Sequence, residues 1–586
     1  MFLAPQRFRI AGFAFLACDA RSPIMRRTKY DTGCASNRLY RRAGPLLMNV
    51  IEKPLLQWSR RSPVGVFIQL VLVLLAAYLA AQAVANDDLM VLLLLGALPL
   101  ALAVIIAVIS DWRRGLYAFV FWILFEDIIR KYSGNNMAVF FAKDALVIIL
   151  YLSFFRAREA KNLEKFRPPF RAALLLFFWL CLLQVFNPFS PSLFFGMLGI
   201  KMDFLYVPLL YVGYAFAKTE MNVQRLFSFL SVLILIVAGL GLAQSIIGPT
   251  FLNPSTLQDD LRALSTLYRY TSEGLMAYRP TSVFVSSGRF QNFLILSWSV
   301  SLGYAAYLVV RGVRKRTLAF ATVAAVGAAS VMSASRGVLM WNLGSTLVIV
   351  AGFLWGAPWR QRETMRVLGA IQRAAFLTGI AMILLMTIFP EALGTRLTIY
   401  SETLLPNSPT SELVRRTQTY PMQQVLLAFN HPHWVTGYGI GTSGLGLQYL
   451  RRFLNVMPLP IGVESGLGNI VVELGIFGLA LWLVLGLAIT ISAWKVVKHL
   501  RGTPWFPLAF SIFLYAVLVF FPMTYVGMPY QDFLINAYLW LLIGIQCRLY
   551  YLKQSAKEPL AAGVRQGNEA IPLQPVVPVV PAPSSG

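Results

Sequence analysis

Three ionisable residues stand where this chain could do chemistry: Arg279, Arg336 and Glu464. Arg279 lies in Tyr278-Arg279-Pro280-Thr281-Ser282-Val283-Phe284, at the end of a long polar segment, with Arg289 entering the next apolar stretch. Arg336 lies in Ser333-Ala334-Ser335-Arg336-Gly337, a short turn between two apolar stretches. An arginine at a membrane edge is costly unless it snorkels to the headgroups or finds an anion, and a lone one snorkels. Two independent sites on one face favour an anion instead. A diphosphate is the anion that calls for bidentate, always-charged partners.

Glu464, in Gly462-Val463-Glu464-Ser465-Gly466-Leu467-Gly468, is expected within about a turn of a span boundary. Partial desolvation there would raise its pKa toward the range of a general base. A solvated loop carboxylate, or an ion pair with Arg451 or Arg452, is an equal alternative. His431 and His433, in His431-Pro432-His433-Trp434, are the fallback bases. Without a third ligand they make a poor metal site, so neither a metal nor another cofactor is expected. The cluster Gly437-Tyr438-Gly439-Ile440-Gly441-Thr442 follows, and Gly439 and Gly441 would let backbone approach a ligand or simply form tight turns. Glu473, inside the next apolar stretch, must pair with an arginine or a polar helix face. Lys143/Asp144 and Lys201/Asp203 are further charges in apolar surroundings, expected to pair between helices.

The elements that hold these residues are membrane spans. Hydrophobic residues make up 57% of the 586 and charged residues 13%, against about 25% charged in a soluble domain. Runs such as Val64–Val84 and Leu89–Ile109 are free of charge and long enough to cross about 30 Å of hydrocarbon. The expected fold is an all-α polytopic integral membrane protein of about 14 spans. Those spans are placed near 64–84, 89–109, 115–130, 137–155, 172–187, 193–216, 226–247, 290–310, 317–334, 337–357, 374–390, 469–491, 507–522 and 531–547. Glu126 and Asp127 interrupt the third. A β-barrel would show short alternating strands instead.

Lysine and arginine gather after every second span: Arg113-Arg114, Arg156–Arg171, Lys218/Arg225, Arg311–Arg316, Arg360–Arg373, Lys495–Arg501 and Arg548/Lys553. By the positive-inside rule these mark the cytoplasmic side and put both termini there. The net charge of +26 is then a record of topology rather than a nucleic-acid patch. Arg279, Arg336 and Glu464 fall on the outer side, within two long outer segments near 248–289 and 391–468, which could pack as short helices on the membrane surface. Residues 1–62 form a basic N-terminal segment, with Met48 as the favoured start. Residues 63–556 form the membrane domain, and 557–586 a Pro-rich disordered tail in the cytoplasm. The four cysteines show neither metal spacing nor a disulfide framework.

The Arg279 loop, the Ser333–Gly337 hairpin, the Gly437–Thr442 loop and the carboxylate-bearing segment Glu464–Gly478 together resemble the O-antigen ligase/polymerase superfamily, over about 200–480. The resemblance implies metal-independent, inverting transfer of a saccharide from an undecaprenyl-diphosphate carrier to a hydroxyl, at the outer face of a bacterial inner membrane. By it, Arg279 and Arg336 hold the diphosphate. The ligase branch places a histidine where this chain has Glu464-Ser465, which favours a polymerase of envelope or exopolysaccharide with Glu464 as base. Implied partners are the undecaprenyl-diphosphate-linked oligosaccharide, membrane lipids, and a chain-length regulator and flippase, with no nucleic acid. A ligase and a polysaccharide or lipid transporter remain the alternatives.

Overall fold

The computed structural model describes residues 82, 89–133, 137–160, 165–254, 267–270, 274–314, 316–356, 361–404, 414–444 and 461–555. The expected first span, residues 1–62, both termini and the tail lie outside them, as do Arg451 and Arg452. The chain divides into two compact units at Pro99, beyond the boundary at 62 expected from composition. Of the first unit, Gln82 and the apolar start of helix α1 (Leu89–Ser110) are described.

The described residues of the second unit are mostly helical. Its helices are α2 (Trp112–Tyr132), α3 (Met137–Ala160), α4 (Arg171–Gln184), α5 (Leu193–Phe204), α6 (Leu209–Phe216), α7 (Glu220–Ile247), α8 (Ser287–Arg311), α9 (Thr317–Met332) and α10 (Arg336–Gly356). They continue with α11 (Gln361–Ile388), α12 (Pro390–Leu404), α13 (Tyr420–Phe429), α14 (Gly466–Leu500), α15 (Phe506–Leu518) and α16 (Phe533–Ser555). Each segment expected from 89–109 onward coincides with helix. Eight helices among the described residues are long and apolar enough to cross a membrane, and three more apolar helices are shorter. This is a multi-pass, all-α membrane protein with one small departure. In the first long loop Tyr268–Tyr270 (β1) and Met276–Tyr278 (β2) pair antiparallel, Arg269 opposite Ala277, where surface helices were expected. The second long loop contains α12 and α13, as short helices.

Helices α8, α15 and α16 form the buried centre of the second unit. Without a hydrophobic drive between helices in lipid, close packing depends on small residues at the contacts. A Cβ at Gly213 of α6 would strike the Leu541 carbonyl of α16, and one at Gly544 would strike the Leu210 carbonyl in return. Gly303 admits Ser511, and Gly352 and Gly356 admit the rings of Phe510 and Phe506. At one end of the bundle the basic residues meet local partners. Arg311 pairs with Glu220 at 2.8 Å, Arg501 donates to the Trp355 carbonyl at 2.9 Å, and Arg548 donates to the Tyr214 hydroxyl at 3.1 Å.

Candidate functional site

The C-terminal end of α2 carries four charges in six residues; tertiary partners meet Glu126, Asp127 and Lys131, and Arg130 reaches Asp127 one turn back on the same helix. Glu126 pairs with Lys143 of α3 at 2.9 Å. Asp127, only 1% exposed, accepts from Arg289 Nη1 at 2.8 and 3.0 Å and from Arg130 Nη1 at 3.4 Å. Lys131 donates to the Thr281 hydroxyl at 2.9 Å and the Ser282 carbonyl at 2.8 Å. On α3, Asp144 pairs with Lys201 of α5 at 2.6 Å. The interruption of the third expected span is therefore a seam of interhelix pairs, and so are Lys143/Asp144 and Lys201.

Arg289 reaches this seam because Ser286 caps α8, its hydroxyl accepting from the Arg289 N–H at 3.3 Å. The preceding turn is held from below. Gln244 Oε1 accepts from the Thr281 and Ser282 N–H groups at 2.8 and 2.7 Å, and the Val285 N–H donates to Asp127 at 3.3 Å. Ser282 sits at φ +50°, a left-handed strain these bonds sustain.

Above the seam lies a cavity of about 960 Å³, formed where α2 ends, α8, α10, α14 and α16 begin, and the segment 523–532 crosses. Its polar lining includes Arg130, Arg289, Asn292, Gln531, Asp532 and Glu464. Apolar side chains alternate with them, among them Phe140, Ile295, Trp341, Val526 and Phe533, with the Arg289 guanidinium 4.5 Å from the Phe533 ring centre. Asp532, 6% exposed, is fixed through both oxygens: Oδ2 accepts from Asn292 at 3.0 Å, and Oδ1 accepts from the Leu534 N–H at 3.1 Å, the N-cap arrangement for α16. Burial pushes the Asp532 carboxyl up from the ordinary aspartate range, against the opposing pull of Arg289 and Asn292.

Of the residues singled out by sequence, Arg289 and Glu464 share this cavity; Arg279 and Arg336 do not line it. Arg336 opens α10, its Nη2 3.9 Å from Glu402 of α12, while its neighbour Gly337 lines the wall. The turn before it, strained at Ala334 with φ +51°, is tied to α8 by the Ser335 hydroxyl donating to Gln291 Oε1 at 2.9 Å. Arg279 follows β2 with its N–H donating to the Leu267 carbonyl at 2.7 Å, and burial lowers its guanidinium pKa. Glu464 is exposed at the cavity rim, its N–H donating to Gln424 Oε1 at 3.0 Å, so the expected desolvation is not found. Val463 beside it is buried against Ala428, Val471 and Val472, while Glu464 itself stays exposed.

The glycine cluster has a structural task in place of the expected ligand contact. Helix α14 breaks at Gly475 (φ 71°, ψ −172°). The freed carbonyls of Val472 and Glu473 accept from the N–H groups of Tyr438 and Gly439 at 2.8 and 3.0 Å, and the Ile476 N–H donates to the Trp434 carbonyl at 3.0 Å. Gly441 (φ +79°) presses so close to α5 that a Cβ would strike the Phe195 carbonyl. The loop is a splint across the break. Glu473, expected to meet an arginine or a polar helix face, instead accepts the backbone N–H of Ser443 at 3.2 Å and that of Gly441, with the side chains of Asn469 and Gln531 beside it. His433 stacks on Phe189, ring centres 3.8 Å apart, and His431 lies edge-on to Tyr438 at 6.4 Å. Neither histidine lines the cavity, and among the described residues no group of three metal-ligating side chains occurs.

Sequence reasoning missed Arg130, Asn292, Gln531 and Asp532. The available signal was polar side chains at the ends of strongly apolar stretches, where each needs a partner or a task. Arg396 of α12 was missed as well: buried, it donates to the carbonyls of Met332 and Tyr278 at 2.8 and 3.1 Å and pins the second long loop to the bundle. The chain matches no protein-family model and no curated protein.

Proposed function

We propose that the chain is an envelope or exopolysaccharide glycosyltransferase. It polymerises undecaprenyl-diphosphate-linked saccharide repeats at the outer face of a bacterial inner membrane. The observation that carries this reading is the cavity, whose lining sets paired arginines and two carboxylates among apolar side chains. Such a lining suits a ligand with an anionic headgroup, a hydroxyl-rich sugar and an isoprenoid tail. The ends of α2, α8, α10, α14 and α16 that meet there are those that the basic-loop alternation assigns to the outer side. That convergence supports extracytoplasmic chemistry, out of reach of cytoplasmic nucleotide sugars.

In this reading Arg289 and Arg130 take the diphosphate. Cleavage of the anomeric bond builds charge on the leaving oxygen, and cations fixed in advance by Asp127 stabilise it without reorganising. Arg336 and Arg279, set back from the cavity, support the turns that frame it. A wall carboxylate takes the proton of the acceptor hydroxyl. The test is deletion in the native host, followed by analysis of surface glycan and lipid-linked intermediates. Accumulated single repeats bear out polymerisation, long unattached polymer points to a ligase, and unchanged glycan overturns the reading. An Arg289→Gln variant that inserts normally yet restores full polymer length removes the diphosphate role.

The break in α14 favours a second reading, a transporter of lipid-linked glycan, since broken helices often form midmembrane transport sites. The splint of loop backbone that closes this break counts against it. Translocation of labelled carrier by the full chain in vesicles decides between the two.

A further inference from the structure

Resting on the glycosyl-transfer reading, we propose that Asp532, not Glu464, is the general base that takes the acceptor's proton. Both carboxylates line the cavity, but they differ in what holds them. Glu464 is exposed. Asp532 is 6% exposed and locked through both oxygens by Asn292 and by the start of α16. A carboxylate has about four lone-pair directions, so these two donors leave room for an acceptor hydroxyl. Asn292 also lines the cavity, so the side chain that orients Asp532 borders the same space as the acceptor. Arg289 and Arg130 line the same cavity as Asp532, so base and leaving-group cations border one space.

The step balances as follows. The acceptor O–H proton passes to an Asp532 carboxylate oxygen while the acceptor oxygen forms its bond to the anomeric carbon. The bond from that carbon to the diphosphate oxygen breaks, and its electron pair leaves with the polyprenyl diphosphate, beside Arg289 and Arg130. The proton then passes from Asp532 to water at the cavity mouth. Burial raises the Asp532 carboxyl, which places its ionisation nearer the working pH, where a base is most effective.

The competing role is plain: Asp532 could be an N-cap and nothing more. Asparagine caps a helix about as well as aspartate and has nearly the same volume, so Asp532→Asn separates the two. Full-length protein in detergent–lipid micelles is assayed with lipid-linked saccharide extracted from a host that lacks it, and binding is read separately with undecaprenyl diphosphate. Asp532→Asn is expected to lose about 10²–10⁴-fold in turnover, to bind undecaprenyl diphosphate within a few-fold of wild type, and to unfold as wild type does. Wild-type turnover should fall as pH drops through the Asp532 ionisation, because protonation removes the base. The variant's residual rate should lack that acidic limb, whereas Glu464→Gln should keep it. Asp532→Ser, which also caps, provides the same comparison should the asparagine variant fold poorly. Turnover of Asp532→Asn within about tenfold of wild type, or an acidic limb lost in Glu464→Gln and kept in Asp532→Asn, overturns the assignment. Wild-type protein that neither binds undecaprenyl diphosphate nor extends the glycan sinks the glycosyl-transfer reading itself, a result distinguishable from failure of Asp532 alone.

Discussion

Replacing Asp127 with asparagine removes one buried charge from a junction of two cations. Asp127 accepts two bonds from Arg289 at 2.8 and 3.0 Å, one from Arg130 at 3.4 Å and one from the Val285 N–H at 3.3 Å. Asparagine keeps the volume and one acceptor oxygen but removes the carboxylate charge that both guanidinium groups share. Removing one partner of a buried pair costs about 3–5 kcal/mol, because the other is left uncompensated. Two features point to the low end: Arg289 is 17% exposed, at the cavity lining, and the Arg130 contact is long. About 3 kcal/mol is therefore expected, close to a 150-fold shift in the folding equilibrium. The assay is reversible unfolding of the full-length protein in mixed micelles by added dodecyl sulfate, followed by tryptophan fluorescence. The pairing itself is isolated by the double variant Asp127→Asn/Arg289→Gln, which should be destabilised by about 1–3 kcal/mol less than the sum of the singles. An Asp127→Asn protein within about 0.5 kcal/mol of wild type, or strictly additive variants, would refute the junction as the support of the arginine pair.

Two further outcomes are expected. Gly441→Ala places a Cβ against the Phe195 carbonyl at a left-handed φ of +79°, so it should cost at least about 2 kcal/mol and loosen the splint across α14; wild-type unfolding of this variant would show that the loop yields freely. In a background cleared of the native cysteines, Gly288→Cys and Glu464→Cys should react with an impermeant maleimide from outside intact cells, and Lys218→Cys only after the cells are opened; the reverse pattern would invert the assigned topology.

The membrane class and the run of apolar helices were legible in the chain because burial in lipid leaves long, charge-poor runs. Loop identity was less legible. Tyr268–Tyr270 and Met276–Tyr278 are too short for a period to separate strand from surface helix, and the hairpin is decided by the pairing of Arg269 with Ala277. The glycine cluster looked like a ligand loop, since glycine serves close approach of any backbone. Its partner proved to be the chain's own broken helix, some thirty residues on along the chain.

By itself the sequence determined the membrane class, the succession of apolar helices, and the presence of polar and charged residues that hydrocarbon would not tolerate unpaired. Only the tertiary structure decided which of them meet. Asp127 and Arg289 are separated by five helices, α3 to α7, and a β-hairpin yet touch, while Arg336, in a turn that packs against α8, faces Glu402 outside the cavity. Glu464 and Asp532 are both carboxylates near span ends, and only packing leaves one solvated and locks the other against Asn292 and a helix start. Charge and hydropathy are properties of a residue and its neighbours in sequence. Desolvation, pairing and orientation depend on what the fold brings within about 4 Å, and those decide which ionisable groups can act on a ligand.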